Sequence, residues 1–346
     1  MMQKELVSMY KEDTTLLDYK EAGLTPEDLK EMYRTMHLAR KIDERMWLLN
    51  RAGKLPFVIS CQGQEATQVG AGYALDREVD IISPYYRDLA LVTHFGMTAE
   101  ETMLSAFAKK GDISSGGKQM PSHFSKKSCN IMTQGSSVTT QLLHAVGASF
   151  KFKMDNEKRV ALTTLGEGSS NQGDFHEGLN FAGVHDLPFI CIIENNDYAI
   201  SVPRELQYGA EKLSDRALGY GMHGEHIDGN DPIAVYKAVK EARERAVNGE
   251  GATLIEAMST RLTAHSSDDD DSYREKQERE TMKESDCLVK FKSYILEHGV
   301  ADEAWFETLE KEAKAIVTDA TKAAEKAPYP KPEEALRHVY EEVHHG

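Results

Sequence analysis

Two short stretches limit the fold of this chain more than any other feature. Arg159-Val160-Ala161-Leu162-Thr163-Thr164-Leu165 and Phe189-Ile190-Cys191-Ile192-Ile193 are rich in β-formers and almost continuously apolar. A strand with one wet face alternates, whereas a continuous run belongs in a sheet covered on both faces. A helical stretch from about Asp174 to His185 lies between them, and Thr253–Met258 repeats the pattern after a helix at Ile233–Val247. Strand, helix and strand in alternation predict an α/β fold with a mostly parallel sheet flanked by helices.

The flanks read as helices. Thr25-Pro26-Glu27-Asp28 supplies an N-cap, a proline in the first turn and acids at the positive helix end. Leu29, Met32, Met36, Leu38, Ile42, Met46 and Leu49 follow at helical spacing, and Gly53 stops the run. A further helix covers Thr140–Met154, with Leu142, Leu143, Val146, Phe150 and Phe152 as its apolar set. Residues 276–346 are rich in Lys, Glu and Ala, as surface helices are, and Pro328, Pro330 and Pro332 interrupt them. The expected organisation is an N-terminal helical extension over 1–52, an α/β domain over 53–275 and a C-terminal helical extension over 276–346.

Composition excludes several classes. The 346 residues are 40% hydrophobic, enough for a large core, and the net charge of −16 repels nucleic acid and anionic membrane. There is no run of about 18 apolar residues to span a bilayer. The opening Met1-Met2-Gln3-Lys4-Glu5-Leu6 lacks the apolar stretch of a signal peptide, and His344-His345-Gly346 reads as a frayed tail. Cys61, Cys129, Cys191 and Cys287 form no CxxC pair, which fits buried thiols in a reducing, cytoplasmic setting.

The polar ends of the two strands carry the chemistry. Gly166-Glu167-Gly168 closes one and Asn195-Asn196-Asp197-Tyr198 the next. Ligands of open parallel sheets bind beyond the carboxyl ends of strands. Residues 169–194 suffice for a glycine-rich turn, one helix and the second strand, so Glu167 and Asn196 should meet at one sheet edge. Glycines let backbone approach a bulky anion, and a helix N-terminus offers free amides. Magnesium takes oxygen ligands in octahedral geometry, and three are on offer: the Glu167 carboxylate, the Asn196 amide oxygen and the Tyr198 backbone carbonyl. Either turn alone is ordinary; the pair at matching strand ends is not.

These residues resemble the thiamine-diphosphate motif, Gly-Asp-Gly followed after about 25–30 residues by Asn-Asn. The stretches Glu167–Gly178 and Asn195–Ser201 narrow the likeness to α subunits of the E1 component of 2-oxo-acid dehydrogenase complexes, most closely the bacterial branched-chain (2-oxoisovalerate) type. The likeness runs from about Leu24 to Tyr329. It implies thiamine diphosphate and Mg2+ as cofactors, and a small 2-oxo acid as substrate. It also implies an E1 β subunit completing an α2β2 heterotetramer, and acyl transfer to the lipoyl domain of the E2 acyltransferase. Gly168 and Ser169 then lie at the cofactor. Pro84-Tyr85-Tyr86-Arg87 resembles the family segment in which tyrosine packs by the cofactor and arginine grips its diphosphate, a role suited to the guanidinium fork of Arg87. Ser136-Ser137-Val138 resembles the stretch that meets the aminopyrimidine, with Val138 holding the cofactor bent. Ser137 and Leu143 stand where the family commonly has proline, and Val138 is smaller than the usual residue. His265 lies in Arg261–Arg274, which resembles the active-site loop, and imidazole donates a proton or stabilises charge near neutral pH. Serines of this loop are phosphorylated in mammalian relatives.

Other matches fail. Asp268-Asp269-Asp270-Asp271 lacks the glycine and closing glutamate of a calcium loop and reads as a solvated loop that orders with the cofactor. The glycine turn lacks the third glycine of a dinucleotide fingerprint, Gly117-Lys118-Gln119 is no P-loop, and His176-Glu177-Gly178-Leu179-Asn180 lacks the second histidine of a zinc helix. The rival readings are a pyruvate or acetoin dehydrogenase α subunit and, from another class, a non-catalytic protein binding ATP or NAD.

Overall fold

The structure, a computed structural model, describes residues 16–337. The Met1–Leu6 stretch and the His344-His345-Gly346 tail lie outside the described residues. In chain order the elements are α1 (Pro26–Arg51), α2 (Glu65–Tyr73), β1 (Ile81–Ser83), α3 (Leu89–His94), α4 (Ala99–Ala106), α5 (Thr140–Met154), β2 (Ala161–Gly166) and α6 (Gly173–Val184). There follow β3 (Phe189–Asn195), the two-residue strands β4 (Tyr198–Ala199) and β5 (Val202–Pro203), α7 (Arg216–Gly219), β6 (His223–Asp228), α8 (Pro232–Val247) and β7 (Thr253–Met258). Three helices close the described chain: α9 (Lys276–Glu284), α10 (Cys287–Glu297) and α11 (Glu303–Lys326).

Five strands form one parallel sheet in the order β1-β2-β3-β7-β6. The predicted apolar strands occupy its centre, and alternate residues of β3 serve opposite faces. Ile190 and Ile192 join the larger core with α1, α2, α8 and α10, while Phe189, Cys191 and Ile193 join a smaller core with α5 and α6. Register fixes the site. Gly166 of β2 pairs with Glu194 of β3, so Glu167 and Asn195 leave the sheet at one level and one edge.

Two strands escape the apolar-run criterion. β1 is three residues long, and β6 is an edge strand whose sequence, His223-Gly224-Glu225-His226-Ile227-Asp228, is mostly polar because one flank faces water. The terminal helices also pack more deeply than a surface reading implies. The stripes Cys287, Leu288, Phe291, Tyr294, Ile295 of α10 and Phe306, Leu309, Val317, Ala320 of α11 lie in the same core as Leu29, Met32, Met36 and Ile42 of α1. Buried Arg40 of α1 ties these layers together, bonding Glu65 of α2 at 2.5 Å and Asp286, the N-cap of α10, at 2.9 Å. Thr25 caps α1 as expected, with Asp28 completing a capping box, and α11 ends just before Pro328. All four cysteines are free. Among the described residues no helix is long and apolar enough to cross a membrane.

Candidate active site

Glu167 opens a short 3-10 turn directly after β2 and is 1% exposed. Its Oε2 accepts from the Asn196 backbone N–H at 3.3 Å and its Oε1 from Gln207 Nε2 at 3.3 Å. The two strand-end turns therefore touch. Burial pushes the Glu167 carboxyl above its usual value, and these hydrogen bonds oppose that only in part. Asn196 Oδ1 is buried without a hydrogen-bond partner among the described residues. A desolvated carboxylate beside an orphaned amide oxygen is costly unless a cation satisfies both. A backbone oxygen is available beside them. Asp197 sits in the left-handed region at φ 66°, which turns the chain so that Tyr198 follows Asn196 along the same cavity. The Tyr198 carbonyl accepts from Arg261 Nη1 at 3.1 Å and keeps a second lone pair. One carboxylate and two neutral oxygens suit magnesium rather than zinc.

The turns open into a cavity of about 400 Å³. Tyr86, Arg87, Ser136, Val138, Glu167, Gly168, Ser169, Asn196, Tyr198 and His265, the residues expected at the cofactor, metal or catalysis, all line it. Gly168 is required: a Cβ there would lie 2.5 Å from Ala199 Cβ. Buried Arg87 donates from Nη1 to the Ser60 carbonyl at 2.5 Å, and its Nη2 lies 3.2 Å from His265 Nδ1. Its guanidinium also lies 5.4 Å from the Tyr86 ring centre. Burial, then Arg87 and Arg261, pushes His265 down to about 4, so the imidazole is neutral at pH 7. Arginine can only donate, so Nδ1 accepts and the ring proton belongs on Nε2.

The loop around Val138 is held under strain. Thr139 has φ 78°, uncommon for a β-branched residue, and its Oγ1 donates to the Ser169 carbonyl at 3.0 Å. That bond ties Val138 to the glycine-rich turn, while His123 Nε2 lies 2.7 Å from Ser136 Oγ. The His265 loop is pinned by arginines. Arg261 donates to the carbonyls of Tyr198 and Ile200, and Arg274 donates to those of Arg261 and Thr263. Asp269 bonds Ser266, which is buried, and Asp271 pairs with Arg274 at 3.4 Å, so part of the aspartate run holds the loop from within.

Sequence reasoning missed Phe57, Ile59, Met120, His123, Ile200 and Arg261, which also line the cavity. They come from irregular segments with no periodicity. Ile200 and Arg261 carried a signal, their places in the Asn195–Ser201 and Arg261–Arg274 stretches of the resemblance.

The family profile described as "Dehydrogenase E1 component" matches residues 33–333. The chain is 59% identical over 319 residues to the 2-oxoisovalerate dehydrogenase subunit alpha of Bacillus subtilis (strain 168), covering 92% of this chain and 97% of that protein. It is 36% identical over 325 residues to the pyruvate dehydrogenase E1 component subunit alpha of the same organism, covering 93% and 85%. The subunit of that description from Staphylococcus aureus (strain Mu50 / ATCC 700699) is 39% identical over 304 residues, covering 87% of this chain and 79% of the relative. With the profile spanning most of the chain and a relative 59% identical over 92% of it, this protein belongs to the dehydrogenase E1 component family.

Proposed function

We propose that this chain holds the diphosphate end of thiamine diphosphate and its Mg2+, as the α subunit of an E1 that oxidatively decarboxylates branched-chain 2-oxo acids of the 2-oxoisovalerate type. One observation carries the cofactor reading: the buried Glu167 carboxylate and the unpartnered Asn196 Oδ1 share one cavity at the strand ends. When bound, thiamine diphosphate supplies a nucleophilic carbon and an electron sink for loss of carbon dioxide. The protein does the rest by binding and orienting. Glu167, Asn196 and the Tyr198 carbonyl hold the metal, while Gly168 and Ser169 let the diphosphate approach. Arg87, seen here on the Ser60 carbonyl and His265, would offer its guanidinium to that charge, and Val138, braced by Thr139, would line the cofactor's place. His265, neutral with its proton on Nε2, would offer that N–H as a hydrogen-bond donor to a substrate oxygen and assist acyl transfer to the lipoyl group of E2.

The substrate class rests on the 59% identical relative and on the apolar side chains of Phe57, Ile59, Met120 and Ile200, which suit a branched aliphatic tail. Residues 53–275 form the cofactor-binding unit in this reading, with the described parts of 1–52 and 276–346 as helical extensions. A separate β subunit supplies the aminopyrimidine half, giving an α2β2 assembly in the cytoplasm. Steady-state kinetics of the α–β assembly with 2-oxoisovalerate and with pyruvate test the substrate. A higher kcat/KM for 2-oxoisovalerate is expected; preference for pyruvate would move the chain to the pyruvate type, as the 36% and 39% identical relatives are named.

A further inference from the structure

We propose that Glu256 is a positioning residue for the metal end of the site, acting through Asn195 to fix the turn that carries Asn196 and Tyr198. The inference rests on the magnesium reading above and assigns the first asparagine of the Asn-Asn pair, which does not line the cavity.

Asn195 is fully buried at the end of β3 and faces the neighbouring strand β7. Its Nδ2 donates to Glu256 Oε1 at 2.7 Å and to Tyr208 Oη at 2.8 Å. A carboxylate only accepts, so the amide orientation follows: Nδ2 faces Glu256 and Oδ1 faces the turn. There Oδ1 accepts the Asp197 backbone N–H at 3.1 Å, closing the bend in which Asp197 takes its left-handed conformation. The Asn195 carbonyl accepts the Ser259 N–H at 2.8 Å, locking the same residue from its backbone. Glu256 is itself anchored. It is 1% exposed, and its Oε2 accepts the Ser214 N–H at 3.1 Å and lies 3.2 Å from His226 Nδ1. Both carboxylate oxygens are thus in use, one on the turn and one on the scaffold.

The physical consequence concerns geometry. Magnesium tolerates little departure from octahedral coordination at 2.0–2.1 Å, so a displaced Asn196 or Tyr198 oxygen weakens the metal more than the fold. A glutamine at 256 cannot accept at both ends. Its amide nitrogen opposes either Asn195 Nδ2 or the Ser214 N–H, and the turn shifts.

The test is calorimetric titration of the α–β assembly with thiamine diphosphate at a series of Mg2+ concentrations, paired with cofactor-free melting. For Glu256→Gln the Mg2+ concentration for half-maximal cofactor binding should rise about 10–100-fold. At saturating Mg2+, cofactor affinity should return close to that of the unaltered assembly. Tyr208→Phe removes one acceptor without disturbing the core and should shift the Mg2+ dependence the same way, by about three- to tenfold. Unchanged Mg2+ dependence in both variants overturns the proposal. So does a loss of affinity that no Mg2+ concentration restores and that tracks a fall in Tm, the mark of a merely structural role. Cofactor binding by the unaltered assembly without any divalent cation would overturn the magnesium reading itself, and this inference with it.

Discussion

The two strand-end turns and the loop that carries His265 reach the same cavity by different means. The turns are extensions of paired strands. Gly166 and Glu194 lie in register, so the sheet brings Glu167 and Asn196 to one edge, and buried side chains on β3 and β7 then fix the turn around Asn195. Residues 259–275 belong to no strand or helix after β7 ends at Met258. Side chains hold them instead: Arg261 and Arg274 on backbone carbonyls, and Arg87 against His265. The proposed metal end is therefore built into the fold, whereas the proposed acyl-transfer end is held by arginine side chains on an irregular loop. Such a division lets one region bind while the other adjusts.

Substitutions should separate the two. Glu167→Gln should lower Mg2+-dependent cofactor affinity beyond the ~100-fold typical of outer-shell changes. It should also raise the cofactor-free Tm by about 2–4 °C per kcal/mol gained, because a buried carboxylate is removed. Calorimetry and melting check both signs; a fall in Tm with retained affinity would mean that the carboxylate serves the fold and not the metal. His265→Ala should reduce acyl transfer roughly 10²-fold while changing cofactor affinity only slightly. Lipoyl-domain acylation assays measure the first and calorimetry the second, and equal losses would erase the distinction between turn and loop.

Acidification addresses the loop when the unaltered protein is compared with a His265 variant. His265 titrates at about 4 in the folded chain against an ordinary value of 6.5, so between these limits the unfolded chain binds the extra proton. Stability is then independent of this group above pH 6.5 and falls as pH drops from 6.5 toward 4. His265→Gln should flatten that slope in cofactor-free melts, and parallel pH profiles for the two proteins would contradict the buried neutral imidazole. Arg261→Lys should have the smallest effect. Lysine cannot bridge the Tyr198 and Ile200 carbonyls as the fork does, so proteolysis within 263–272 should quicken severalfold, about what one or two lost hydrogen bonds allow. A large loss of Mg2+ affinity in this variant would show that the loop and the metal turn are one unit.

The same contrast explains what could be read in advance. Glu167 and Asn196 are legible because parallel strands bring their ends to one edge whatever the surrounding detail. His265 and Arg87 are legible only through family resemblance, since nothing local marks a lone histidine or arginine. Phe57, Met120 and His123 reach the cavity from segments without periodicity, so no pattern announces them. β6 is hidden by its polar edge sequence, and α2 by burial so complete that Glu65, Gln68 and Val69 are all inside and no amphipathic stripe remains. The C-terminal helices show their stripes plainly, but a stripe does not say whether it meets the main core or a separate one.

The decisive observation is a crystal structure of the α–β assembly soaked with Mn2+ and thiamine diphosphate, with the metal located by its anomalous signal. The peak should lie within coordination distance, ~2.2 Å, of a Glu167 carboxylate oxygen, Asn196 Oδ1 and the Tyr198 carbonyl, with diphosphate oxygens completing the shell. A peak elsewhere, with Glu167 and Asn196 turned away from it, would contradict the convergence of these two turns on one cation.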